Sequence, residues 1–131
     1  RLQWIDGHPP VLIDGAHNEE GLNSLLKYLD TFAPPRPLHI VFGALQKKPV
    51  ALMAAQLAKY ADSLAFVPPA TPRSLKADEF NSIVLPTDSR WQMYESLNPA
   101  LRAGASSGSI LVTGSLYLVA AYLKSHSQTN V

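Results

Sequence analysis

Apolar residues follow two alternating rhythms along this chain. Short runs in which nearly every side chain is apolar occupy residues 11–13 (VLI), 38–44 (LHIVFGA), 63–68 (SLAFVP) and 109–114 (SILVTG), and predict buried strands. Between them the apolar positions recur at spacings of three and four. Leu22, Leu25, Leu26, Leu29 and Phe32 mark one stripe and predict a helix over 18–32. The same reasoning predicts helices over 50–60 (VALMAAQLAKY) and 115–125 (SLYLVAAYLKS). The pattern of the third quarter is weaker: it predicts a short helix over 74–80, a strand over 82–86 and a helix over 90–101. The opening RLQWID alternates like a strand.

Prolines punctuate these segments at 34–37 (PPRP) and 68–73 (PPATPR), and small residues form a loop at 103–109. All-apolar strands alternating with amphipathic helices predict an α/β fold whose mostly parallel sheet is covered on both faces. One domain over residues 1–125 is expected, with 126–131 fraying because no apolar pattern holds them.

Composition narrows the function classes. Of 131 residues, 47% are hydrophobic and 16% charged, as in folded domains. A net charge of +1 gives no field to hold nucleic acid or an anionic membrane. No run approaches the roughly eighteen apolar residues of a membrane span, and no basic segment leads into an apolar signal core. A cytoplasmic protein is the expectation. The absence of cysteine excludes disulfides, thiolate metal sites and cysteine nucleophiles. Because the sequence starts at Arg1 without methionine, it reads as a piece of a longer chain.

Candidate chemistry gathers at two corners where a strand meets a helix. In open parallel sheets, ligands bind beyond the carboxyl ends of the strands. The first corner, DGAHN, holds Asp14, His17 and Asn18; the second, TGS, holds Ser115. Each residue also has a purely structural reading. Asn18 and Ser115 suit helix N-caps, His17 suits a bond to a backbone carbonyl, and Asp14 a bond to a nearby amide. Their grouping at strand ends favours a site, since free amides at a helix N-terminus bind carboxylates and phosphates. Lys47, Lys48 and Arg73 read as solvated loop cations. No phosphate-cradling glycine motif and no Gly-x-Ser-x-Gly elbow occurs, so neither a self-sufficient triphosphate site nor a serine hydrolase built on Ser115 is expected.

The segments PPVLIDGAHNEEGL, LHIVFGALQKKPV, PRSL and ILVTGSLYLV, in that order, resemble the C-terminal domain of folylpolyglutamate synthase and dihydrofolate synthase, of the Mur ligase superfamily. The resemblance covers nearly the whole chain. It implies a Rossmann-like domain that closes over ATP bound to a preceding P-loop domain, which would also hold Mg2+ and the folate or dihydropteroate. It implies ATP contacts for Arg1 and Asp14, and L-glutamate contacts for His17, Asn18 and Ser115, with His17 also acting in catalysis. A monomer is expected, and no ATP turnover by these residues alone. Glu19 stands where the family often has proline. Two alternatives stay open: a non-catalytic binding module on the same scaffold, or another Mur-type amino-acid ligase.

Overall fold

The computed structural model describes residues 2–84 and 87–126. In chain order the elements are β1 (Gln3–Ile5), β2 (Val11–Asp14), α1 (Glu19–Thr31), β3 (Leu38–Phe42), α2 (Val50–Ala58), β4 (Ser63–Phe66), α3 (Ala77–Val84), β5 (Trp91–Met93), α4 (Leu97–Arg102), β6 (Ser109–Thr113) and α5 (Leu116–His126). They build one sheet in the order β1-β2-β6-β3-β4-β5, parallel throughout except for β1, which pairs antiparallel with β2. The α/β fold with a mostly parallel sheet is therefore as expected.

Strand alternation divides the core in two. Leu12, Ile40, Phe42, Leu64, Phe66 and Leu111 face α1, α2 and α3. Ile13, Val41, Ala65, Ile110 and Val112 face α4 and α5. With helices on both faces, every strand residue of β3 and β6 is buried, which explains why these strands read as nearly continuous apolar runs. No helix among the described residues is long and apolar enough to cross a membrane.

The weak third quarter departs from expectation. Residues 82–84 are not strand but the end of α3, which starts at Ala77 instead of running over 74–80. One half of a capping box sets that start: the Glu79 carboxylate accepts from the Lys76 amide at 2.8 Å, and Phe80 and Val84 bury one turn apart. Residues 85 and 86 lie outside the described residues. The helix expected over 90–101 is instead β5 followed by α4. Arg90 fixes the turn by donating to Ala58 O and Ala61 O while forking onto Asp88, and Trp91 then pairs with Leu64 of β4. The last helix includes His126, so the expected tail is one residue shorter, and 127–131 lie outside the described residues.

One buried histidine ties α4 to the sheet. His39 Nε2–H donates to Ala100 O at 2.9 Å, and Nδ1 accepts from the Ser63 hydroxyl at 2.7 Å. Burial holds its pKa below the ordinary 6.5. The folded state therefore binds this proton less readily than the unfolded chain does. Its contribution to stability is full above the unfolded value and is lost as pH falls below it toward the folded one. Urea unfolding should show stability declining between about pH 7.5 and about pH 5.5. His39→Gln should be less stable at the higher pH yet show a flatter decline. An equal decline in that variant would assign the effect elsewhere.

Candidate functional site

The insertion of β6 between β2 and β3 decides what meets at the carboxyl edge of the sheet. Asp14 pairs in register with Thr113, and Thr113 with Phe42, so the three strands end level. The loops that follow them share one edge.

At the first corner Asp14 is buried, and its Oδ2 accepts from the Ala16 amide at 3.2 Å. His17 is half-buried and its Nδ1 lies 3.0 Å from Gly15 O. A carbonyl only accepts, so Nδ1 is the donor, the tautomer that leaves Nε2 as the ring's acceptor. Asn18 caps α1: its Oδ1 accepts from the Gly21 amide at 2.8 Å and its carbonyl from Leu22 at 2.9 Å. Asp14, His17, Asn18, Glu20, Ser24 and Leu116 border a shallow cleft of about 430 Å³.

At the second corner Gly114 turns the chain with φ +106° into α5. Ser115 is only 1% exposed, and its Oγ accepts from the Tyr117 amide at 3.0 Å. All four structural readings made from the sequence are thus realised. No hydrogen bond joins His17 to Ser115, so the pair has no nucleophile–base contact, and a hydrolase gains nothing from the geometry. Thr113 Oγ1, buried beside Asp14 in the register, has no hydrogen-bond partner among the described residues. Sequence reasoning did not single it out.

The structure adds two cations that sequence reasoning set aside. Lys48 follows β3 and Arg73 follows β4. An isolated bridge pairs Leu45 with Ser74, while Gln46 N donates to Arg73 O at 2.8 Å and Leu75 N to Ala44 O at 2.9 Å. These bonds lace the two loops together and present both cations to one cleft of about 500 Å³. It is also lined by His17, Ser115, Leu116 and Tyr117. His17 and Leu116 border both clefts. No sequence spacing signals this proximity, because the bridge joins residues far apart in the chain.

Arg1 lies outside the described residues. Among those described, no group of three or more histidines, cysteines or carboxylates could hold a metal ion.

Residues 1–116 match the family of the Mur ligase, glutamate ligase domain. The chain belongs to that family. The ligase domain is 34% identical over 122 residues to the dihydrofolate synthase/folylpolyglutamate synthase of Bacillus subtilis (strain 168), covering 91% of this chain. It is 33% identical over 125 residues to the folylpolyglutamate synthase of Lacticaseibacillus casei, covering 92% of this chain. It spans 28% of the length of each relative. Its backbone follows that of the Mycobacterium tuberculosis folylpolyglutamate synthase complexed with ADP and AMPPCP. The TM-score is 0.85 at 26% identity, over 95% of this chain and 31% of the other.

Proposed function

We propose that this ligase domain forms the C-terminal part of an ATP-dependent enzyme that joins L-glutamate to the carboxylate of a folate or dihydropteroate. The observation that carries the reading is the cleft shared by His17, Lys48, Arg73 and the start of α5. Two cations beside a helix N-terminus suit a dicarboxylic amino acid, and the neighbouring corner at Asp14 suits a ribose, whose hydroxyls a carboxylate can accept. Arg1 would reach the phosphates.

In the reaction, the folate carboxylate is activated as an acyl phosphate. The glutamate amine forms the new C–N bond as the C–O bond to phosphate breaks. A proton must leave the ammonium before attack, and His17, which borders both clefts, would accept it on Nε2. The carboxylates of glutamate fall to Lys48 and Arg73, and Asn18, which borders the neighbouring cleft with Asp14, would reach the amino acid only where the two clefts meet at His17. Closure over the cleft excludes water, which would otherwise hydrolyse the acyl phosphate. The resemblance assigns Mg2+ to a preceding domain.

Asp14→Ala in the full-length protein tests the division of labour. It should raise the KM for ATP by roughly ten- to a hundredfold while glutamate saturation stays near wild type. Thermal unfolding run in parallel separates this from a loss of the Asp14–Ala16 bond. Unchanged ATP kinetics in a stable variant would return Asp14 to a structural role.

A further inference from the structure

The geometry points to Tyr117 as a positioning residue for amino-acid binding: it holds the Arg73 guanidinium over the cleft that His17, Lys48 and Ser115 share. This inference rests on the reading of that cleft as a glutamate site. Arg73 is exposed on a loop, and a free arginine side chain loses much rotamer entropy when it binds an anion. Two contacts reduce that loss. Arg73 Nη2 donates to the Tyr117 hydroxyl at 3.0 Å, and the guanidinium carbon lies 5.9 Å from the centre of the Tyr117 ring. The hydroxyl fixes one nitrogen and the ring face attracts the cation, so the remaining donors of the fork are ordered before an anion arrives.

Tyr117 is itself anchored. Its amide is held by Ser115 Oγ at 3.0 Å in the first turn of α5, and that turn continues as Val119 N donates to Ser115 O at 3.2 Å. A bonded path therefore runs from the Ser115 cap through Tyr117 to Arg73. Ser115, 1% exposed and engaged by an amide, acts on the amino acid through this path rather than by open contact. The exposed side of Tyr117, at 43%, is explained the same way: the ring is kept at the cleft for Arg73 rather than buried in the core.

The test is glutamate saturation at fixed ATP and folate in the full-length protein, for Tyr117→Phe, Arg73→Ala and the double variant. Phenylalanine keeps the ring and removes only the hydroxyl. Tyr117→Phe is expected to raise the glutamate KM about three- to tenfold, with ATP saturation unchanged and turnover at saturating glutamate within about twofold. Arg73→Ala should raise it further, and adding Tyr117→Phe to Arg73→Ala should change nothing more. A merely structural tyrosine would give additive effects in the double variant. Such additivity, or a wild-type glutamate KM in Tyr117→Phe beside a raised one in Arg73→Ala, would overturn the positioning role alone. A wild-type KM in Arg73→Ala would overturn both that role and the assignment of Arg73 to the glutamate cleft.

Discussion

Gly114→Ala is expected to destabilise the domain by about 3 kcal/mol, the largest stability effect of any single methyl group at the site. Two costs combine. At φ +106° an L side chain is strained wherever it is put. The added Cβ would also stand 2.1 Å from Gly43 O and 2.6 Å from the Phe42 ring. Neither neighbour can retreat freely. Gly43 is bonded to Thr113 O at 3.2 Å, and Phe42 is fully buried among Phe66, Phe80 and Trp91. The glycine lets the chain leave β6 tightly enough for α5 to begin beside β3, which brings Ser115 and Tyr117 to the cleft of Lys48. Urea unfolding of the variant checks this. A loss below about 1 kcal/mol would mean that the turn relaxes without cost.

His17→Ala is expected to have the largest effect on activity, lowering kcat/KM for glutamate about a hundredfold or more in the full-length protein. It removes the one ionisable side chain among the described residues that borders both clefts. The fold should barely notice, since the hydrogen bond of its ring is local, to Gly15 O two residues away. Glutamate saturation and turnover should therefore both change while the unfolding temperature stays close to wild type. If glutamate kinetics hold, His17 only braces its own loop.

The sequence disclosed the fold where periodicity was strong. α1 carries Leu22, Leu25, Leu26 and Leu29 on one stripe, with Phe32 just past its end as an exposed C-cap. β3 and β6 are buried at every position with only His39, Ser109 and Thr113 polar, as a parallel sheet covered on both faces requires. It failed where elements are short. The three residues of β5 and the six of α4 lie below the length at which period separates strand from helix. The strand reading at 82–84 mistook Ile83 and Val84 for a β run, although the cap built by Lys76 and Glu79 was visible in hindsight.

For the site, DGAHN and TGS were legible because strand-to-helix corners leave a local signature of glycine and capping residues. That β6 lies between β2 and β3 was not, and this alone sets the two corners side by side. Lys48 and Arg73 were illegible for a related reason. A loop cation is solvated by default, and it is the bonds lacing the two loops, with the Tyr117 hydroxyl on Arg73, that bring these two to one cleft. Capping does not preclude the proposed binding. Asn18 Oδ1 and Ser115 Oγ serve their helices, while the rest of each corner stays available.

The central claim is that the strand-end edge is divided between a nucleotide at Asp14 and glutamate beside Lys48 and Arg73, with His17 between them. A crystal structure of the full-length protein with L-glutamate and a non-hydrolysable ATP analogue tests it most directly. The expected complex has the ribose at Asp14, the glutamate carboxylates on Lys48 and Arg73, and the glutamate amine facing His17 Nε2. Glutamate seated away from Lys48 and Arg73, with both cations left to solvent, would contradict it.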